Sequence, residues 1–226
     1  MADVALVTGF TAYGGRGRNP AGEAAKALDG RSIGGLAVSG RVLPVSFGTL
    51  QADVQGLMDE LRPCLVISLG LWPGEPMIRL ERVGINVADF EIPDNEGAFL
   101  TDMPVSGKGP AALAATLPLR GIEAALLDAG IPARISSTAG TFLCNATLYS
   151  TLLHADRLSP RPLAGFVHVP YLPEQVADIV RTVRKGRELE LGQRSDIASM
   201  DFTTIVRALT IALASIAIEA SAMSLC

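Results

Sequence analysis

The chain is poor in the residues that metal sites, disulfide frameworks and nucleic-acid interfaces require. Its 226 residues include two histidines and three cysteines, and neither a CxxC pair nor an HExxH motif occurs. A metal site is therefore not indicated, and the odd set of cysteines, Cys64, Cys144 and Cys226, favours a reducing compartment. The net charge of −4, with no basic cluster longer than residues 181–187, argues against nucleic acid as a partner.

Aromatic residues are also scarce, at 5% of a chain that is 49% hydrophobic. The core must consist mainly of leucine, isoleucine, valine and alanine, which is typical of a sheet covered by helices rather than a β-sandwich. The amino-terminal residues lack the basic start and long apolar run of a signal peptide. The most apolar segment, residues 208–218, is too short to cross a bilayer and predicts a buried helix. We expect a soluble cytoplasmic protein with no membrane partner.

Predicted strands and helices alternate along the chain. Apolar runs predict strands at residues 3–7, 36–45, 65–69, 132–137 and 164–169, and helical periodicity predicts helices at 20–28, 50–61, 110–128, from 145 onward, 173–185 and 202–220. Residues 78–89 predict an antiparallel excursion, and residues 186–199 predict a polar surface loop. The pattern indicates an α/β fold in which residues 1–226 form a single three-layer αβα domain with a twisted, mostly parallel sheet.

A glycine-rich loop, residues 8–19, joins the first strand to the first helix. In α/β sheets this is a common place for a ligand. The loop contains neither GxxxxGK[ST] nor GxGxxG, and its aromatic residues Phe10 and Tyr13 suit an apolar ligand better than a phosphate. Nucleotide or nucleoside binding is therefore a hypothesis that only the α/β pattern supports.

Cys144 lies where a cysteine would be reactive, at the entrance of the helix that begins near Asn145. Unpaired backbone N–H groups at a helix start favour the thiolate, so we expect the pKa of Cys144 to be lowered. The same N–H groups can stabilise a developing oxyanion. The alternative is that Cys144 is a small hydrophobic residue packed under the helix.

His168 ends a buried strand and is the candidate partner of Cys144. Strands 132–137 and 164–169 are consecutive, so we expect them to be neighbours in a right-handed βαβ unit that places both side chains at one sheet edge. A Cys/His pair supplies a nucleophile and a general acid. A carboxylate should orient the ring, and spacing alone does not choose between Glu81 and Asp94. We expect His154 on the surface.

Four segments together resemble the pyroglutamyl peptidase I (pyrrolidone carboxylate peptidase) family, cysteine peptidases that remove an amino-terminal pyroglutamyl residue. They occur in the family order and spacing. The segments are Gly9-Phe10 through Gly14-Gly15 to Asn19-Pro20; Glu81-Arg82 with Asn86; Ile92-Pro93-Asp94-Asn95-Glu96-Gly97; and Thr138-Ala139-Gly140-Thr141-Phe142-Leu143-Cys144-Asn145 with His168-Val169-Pro170-Tyr171-Leu172-Pro173-Glu174-Gln175.

The resemblance implies a catalytic triad. Cys144 would be the nucleophile, His168 the general base and then acid, and Glu81 the orienting carboxylate. Hydrolysis would pass through a thioester and need no cofactor or metal. The substrates would be peptides with amino-terminal pyroglutamate, and the protein would be a homo-oligomer, either a dimer or a tetramer.

The resemblance also implies a pocket for the five-membered lactam. Aromatic side chains would line it, because an uncharged flat ring favours apolar walls. The residues concerned are Phe10, Tyr13 and Phe142, with Asn19 nearby and Leu71 at the position that meets the ring.

Several positions depart from the family pattern. Tyr13 stands where the family has phenylalanine, and Ala12 replaces the proline that stiffens this loop. Leu71 and Trp72 replace Gln-Ala, and Glu91 stands where arginine is common. A charge reversal there predicts weaker oxyanion stabilisation or a displaced loop. A second hypothesis is therefore a pyroglutamate-binding protein with impaired catalysis.

Overall fold

A seven-stranded sheet forms the centre of the protein, whose computed structural model describes residues 3–184 and 197–222. The strand order is β2-β3-β1-β4-β9-β5-β8, and β6 and β7 form a separate two-stranded sheet. Four of the six neighbouring pairs in the large sheet are parallel. The strands are β1 Val4–Phe10, β2 Ser32–Ile33, β3 Leu36–Leu43, β4 Leu65–Leu71, β5 Ile78–Glu81, β6 Val83–Ile85, β7 Ala112–Ala114, β8 Ala133–Ser136 and β9 Leu163–Val169.

Helices cover both faces of this sheet. Apolar side chains of α1, α3 and α6 pack on one face, and those of α2 and α4 pack on the other. This confirms the predicted α/β fold, with helices on both sides of a mostly parallel sheet. The helices are α1 Pro20–Leu28, α2 Phe47–Leu61, α3 Leu119–Asp128, α4 Leu143–Ala155, α5 Pro173–Arg184 and α6 Phe202–Ala222.

The first helix begins as the sequence predicts. Pro20 occupies the first turn, and the Asn19 side chain caps the helix by accepting a hydrogen bond from the Ala21 N–H at 3.1 Å. The amide of Asn19 also donates to the Thr11 carbonyl at 3.0 Å. One buried asparagine therefore ties the glycine-rich loop to the helix that follows it.

The prediction that the strands before and after α4 are adjacent and parallel is wrong. β8 pairs in parallel with β5, and β5 pairs antiparallel with β9, so β8 and β9 are neither adjacent nor parallel. The short strand β5 lies between them, and all four of its residues are buried. The antiparallel excursion predicted for residues 78–89 is confirmed in part: β5 pairs antiparallel with β9 and β6 pairs antiparallel with β7, but β5 also pairs in parallel with β8.

The predicted helix at 110–128 is shorter in the structure. It begins at Leu119, and the alanine-rich residues before it form β7, which pairs with β6. Thr116 then anchors the chain to the main sheet, where its hydroxyl accepts the Ala164 N–H at 2.7 Å. Tertiary pairing thus overrides the helix propensity of alanine. Most of the predicted loop at 186–199 lies outside the described residues.

The last helix ends two residues later than predicted, and its apolar part is longer than the segment 208–218 identified from the sequence. Residues 202–219 are long and apolar enough to span a membrane by length and composition, a test that a core helix also passes. Ile205, Leu209, Leu213 and Ile216 are buried in the core that α6 shares with α1 and α3. The interpretation of this segment as a buried helix therefore agrees with its packing.

Candidate functional site

A buried pair of side chains, His168 and Glu81, lies at the carboxyl end of β9. The Nδ1 atom of His168 is 2.8 Å from Oε1 of Glu81, and the side chains are 1% and 0% exposed. A carboxylate only accepts, so Nδ1 carries the proton and Nε2 is left as the acceptor. Asp94 is used elsewhere, since its Oδ2 accepts the Phe47 N–H at the start of α2.

The environment of His168 favours the neutral ring. Burial is the largest influence and lowers the pKa of His168, although the hydrogen bond to Glu81 raises it. The Trp72 ring lies edge-on to the imidazole with centroids 4.9 Å apart, and the Phe166 ring lies 4.8 Å away. These aromatic walls keep water from the sides of the imidazole.

Cys144 is the second residue of α4, close to the predicted helix entrance. No side chain caps this helix. The side chain of Asn145 instead anchors the helix start to β6, accepting from the Ile85 N–H and donating to the Ile85 and Val87 carbonyls, each at 2.9 Å. The first turn of α4 is therefore held in place while its backbone N–H groups are left without a side-chain cap.

The sulfur of Cys144 lies against the end of β4. A methyl group added at Gly70 would come within 2.8 Å of Sγ. Gly70 is the Cα partner of His168 in the β4–β9 ladder. Cys144 and His168 accordingly line one cleft of about 240 Å³. The structure brings the two side chains to the same cleft, although not through the strand arrangement that was predicted.

The expected lowering of the Cys144 pKa is wrong for this site. Burial of the sulfur and the negative charge of Glu81 raise the pKa of the thiol to about 12, and the backbone N–H of Cys144 opposes them only in part. Desolvation of the charged form outweighs the field of the helix start. Both pKa shifts favour the neutral forms, a protonated thiol and an uncharged imidazole.

The five residues assigned to substrate binding line one narrow space beside this cleft. Phe142 contacts Tyr13, with ring centroids 5.9 Å apart, and Phe90, with centroids 4.6 Å apart. The space measures about 10 Å³, roughly the volume that one water molecule needs. Its lining is Phe10, Tyr13, Asn19, Val45, Leu71, Phe142, Leu143 and Cys144.

The turn at residues 92–97 is hydrogen-bonded to two segments that flank this pocket. Asn95 donates its side-chain amide to the Ala12 carbonyl at 2.9 Å, and its N–H bonds the Val45 carbonyl at 2.9 Å. Glu91 is exposed and, with Asp89, lines the cleft of about 240 Å³ that contains Cys144 and His168. The turn thus holds the loop that carries Tyr13, even though the loop lacks the proline of the family pattern.

A separate cavity of about 330 Å³ lies between the glycine-rich loop and α5. Arg18 lines it but is paired with Glu23 at 2.5 Å. Arg16 also lines the cavity and donates to the Tyr171 hydroxyl, but Glu174 and Asp178 lie there too, so a phosphate would meet two carboxylates. This arrangement does not favour nucleotide binding. Among the residues that the structure describes, no three His, Cys, Asp or Glu side chains are grouped to hold a metal ion.

Sequence reasoning missed a charged cluster that surrounds Glu81. Arg79 donates Nε to Glu81 at 2.6 Å and Nη1 to Glu75 at 3.4 Å, and Arg134 donates Nη2 to Glu75 at 2.5 Å. The sequence did contain a signal: Arg79 and Glu81 are two residues apart in a short strand, so they lie on the same face, and the other two residues of the strand are apolar. Two charges on one face of a buried strand predict a buried ion pair.

Comparison with known proteins gives a consistent result. A family model described as pyroglutamyl peptidase matches residues 3–219. The pyrrolidone-carboxylate peptidase of Pyrococcus furiosus is 44% identical over 173 residues, which are 76% of this chain and 83% of that protein. Pyrrolidone-carboxylate peptidase 2 of Photorhabdus laumondii is 42% identical over 208 residues, which are 92% of this chain and 88% of that protein.

The fold is similar to that of a solved relative. The crystal structure of pyrrolidone carboxyl peptidase from the hyperthermophile Pyrococcus furiosus matches with a TM-score of 0.87 at 38% identity, covering 95% of this chain and 98% of that one. These relatives favour neither the nucleotide hypothesis nor the binding-protein hypothesis. They confirm the resemblance that the four motifs carry: the chain belongs to the pyroglutamyl peptidase family.

Proposed function

We propose that this protein is a cysteine exopeptidase that hydrolyses the amide bond after an amino-terminal pyroglutamyl residue. Cys144 is the nucleophile, His168 the general base and then acid, and Glu81 the orienting carboxylate. One observation supports this most: a histidine fixed by a buried carboxylate shares a cleft with a cysteine at an uncapped helix start.

The protonation states suggest the order of the proton transfers. Cys144 keeps its proton at rest because its pKa is raised to about 12. His168 is neutral, with Nε2 free to accept, so it takes the thiol proton as the sulfur attacks the pyroglutamyl carbonyl. The imidazolium then donates this proton to the departing peptide amine. Water, activated by the same ring, hydrolyses the thioester.

Backbone groups from two elements, the first turn of α4 and the end of β4, complete the proposed site. The N–H groups in the first turn of α4 face the position where the oxyanion forms. The Trp72 N–H donates to the Val169 carbonyl at 3.1 Å, so by alternation the N–H and C=O of Leu71 point away from β9, toward β1. The paired part of β1 ends opposite Ser68. Leu71 can therefore meet the lactam through its backbone, whatever its side chain.

The proposal extends to partners, assembly and location. Peptides with amino-terminal pyroglutamate are the substrates, and no cofactor takes part. Phe99 and Met103 are exposed apolar side chains in one loop, which is compatible with a dimer or tetramer. Cys144 is a free thiol, in keeping with a cytoplasmic location.

Hydrolysis of a pyroglutamyl chromogenic amide tests the proposal. Wild type should release the chromophore, and Cys144→Ala should not. Cys144→Ser is the matched control, since it replaces the thiol with a hydroxyl, a weaker nucleophile here, and keeps the shape of the site. The thioester should be trapped by acid quenching and identified by mass on Cys144. An inactive wild type, or turnover that survives Cys144→Ala, would refute the assignment.

A further inference from the structure

The side chain of Arg79 lies between the two halves of the proposed site. It is the Cα partner of His168 across the β5–β9 ladder, and only 6% of its side chain is exposed. Its Nε donates to Glu81 Oε1 at 2.6 Å, and its Nη2 donates to the Thr138 carbonyl at 2.5 Å. Thr138 begins the turn that leads to Cys144. One guanidinium therefore contacts both the carboxylate that orients His168 and the turn before the nucleophile.

Arg79 is itself held on its remaining sides. Its guanidinium carbon lies 3.6 Å from the centre of the Trp72 ring, and its Nη1 donates to Glu75 at 3.4 Å. Glu75 is also bound by Arg134. A planar guanidinium that is stacked and hydrogen-bonded on several sides has little freedom to move. Its position therefore defines the positions of the groups that it binds.

Glu81 shares one oxygen between two donors. Oε1 accepts from both Arg79 and His168, whereas Oε2 has no hydrogen-bond partner among the described residues. A carboxylate that is compensated by a guanidinium attracts a proton to the imidazole less strongly than an isolated carboxylate does. Burial and, to a smaller extent, the charge of Arg79 lower the pKa of His168.

We infer that Arg79 is a positioning residue for the proposed reaction. It holds the Glu81 carboxylate and the turn at residues 138–142, and it keeps His168 in the neutral form that accepts the thiol proton. The inference rests on the proposed function, because it takes His168 as the base. Its consequence is that activity extends to lower pH than it would if Glu81 acted on His168 alone.

Other charged or titratable groups around His168 also influence whether its ring is protonated. Glu81 and Glu75 favour the imidazolium. Cys144 lines the same cleft as His168, and burial raises the pKa of its thiol. Arg16, Asp89 and Glu91 line this cleft as well. Arg79 is the cation in direct contact with Glu81, so its removal should change the protonation of His168 more than any other single loss of positive charge.

The small number of histidines makes a direct test possible. The chain contains only His154 and His168, so carbon NMR of the untagged protein with labelled histidine should give two ring signals, each assigned by a His→Gln variant. The titration is done in Cys144→Ser and does not depend on turnover. In Arg79→Gln the midpoint of His168 should rise by roughly one pH unit, the size expected when a nearby charge of the same sign as the imidazolium is removed. The midpoint of His154 should not move.

Arg134→Gln is the matched control. It removes a cation that binds Glu75 but not Glu81, so the midpoint of His168 should move less than in Arg79→Gln. If Arg79→Gln does not fold, the double variant Arg79→Gln/Glu75→Gln keeps the cluster electrically balanced and should still raise the midpoint. An unchanged or lower midpoint in the folded variant would overturn the inference.

Kinetics provide a readout that a merely structural role would not move. In Arg79→Gln the acid limb of kcat/KM for a pyroglutamyl amide should shift upward with the His168 midpoint, and Arg79→Lys, which keeps the charge, should leave the limb near its wild-type position. An equal loss at all pH values with an unmoved limb would overturn the inference. If wild type hydrolyses nothing, the proposed function fails, while the NMR titration still decides the role of Arg79.

Discussion

The protein contains two histidine–carboxylate pairs that are almost identical in distance and different in surroundings. His168 Nδ1 is 2.8 Å from Glu81, and His154 Nε2 is 2.9 Å from Asp59. Both partners are buried in the first pair. In the second, the Asp59 side chain is 53% exposed and the His154 side chain 11% exposed, so the prediction that His154 lies on the surface is only partly correct.

The contrast teaches that contact distance does not identify a catalytic pair. Asp59 is solvated, so its attraction for His154 is screened by water. The Glu81 side chain is 0% exposed, so bulk solvent screens its charge little, and its neighbours decide how strongly it acts on His168. The sulfur of Cys144 lies at the His168 site and not at the His154 site. Each prediction below changes one pair and uses the other as its control.

The largest difference should come from removing the rings. His168→Ala should lower kcat/KM for a pyroglutamyl amide by about 10²–10⁴-fold, because the general base and acid is lost. His154→Ala should stay within about two-fold of wild type, since its ring lies at the far end of α4. Steady-state assays measure both changes, and a comparable loss in His154→Ala would break the distinction between the pairs.

The carboxylates should differ in the same direction. Glu81→Gln should lower kcat/KM by about 10²-fold or more, because an amide can hold the wrong tautomer of His168 and leaves Arg79 without its partner. Asp59→Asn should leave activity unchanged and reduce the free energy of unfolding by no more than about 1 kcal/mol. Kinetic assays and urea unfolding measure these effects. Full activity in Glu81→Gln would argue against an orienting role.

The pH dependence of stability should separate the pairs further. Burial lowers the pKa of His168, so below the unfolded value of about 6.5 the unfolded chain binds a proton that the folded chain does not. The free energy of unfolding should therefore fall as pH drops below about 6.5. His168→Gln should lose this part of the decrease, and His154→Gln should retain it. Identical slopes in urea unfolding of wild type and His168→Gln would contradict a ring that is held neutral.

The smallest effect should be on alkylation of Cys144. Because the charge of Glu81 contributes to the raised pKa of the thiol, Glu81→Gln should speed labelling by iodoacetamide by a few-fold at about pH 8. Asp59→Asn should not change the rate. Peptide mass spectrometry separates this label from that on Cys64. Slower labelling in Glu81→Gln would instead indicate a preformed thiolate–imidazolium pair.

Much of the site could be predicted because its signals are local. Asn19 precedes a proline-initiated helix, so its capping role follows from neighbouring residues, and Cys144 stands at a recognisable turn-to-helix boundary. The residues of the aromatic pocket came from ordered motifs of the family. The choice of Glu81 over Asp94 also came from that resemblance, since the pair spans 87 positions of sequence and spacing carries no information at that range.

By itself, the amino-acid sequence determined the α/β class and the position of Cys144 at a helix start, because periodicity and capping act over a few residues. The residues expected to approach Cys144 came from the family resemblance. Only the tertiary structure decided that β5 separates β8 from β9, that Arg79 joins Glu81 to the turn before Cys144, and that burial raises the pKa of the Cys144 thiol. The reason is physical: strand order and desolvation depend on which distant segments exclude water from one another, and no local pattern encodes that.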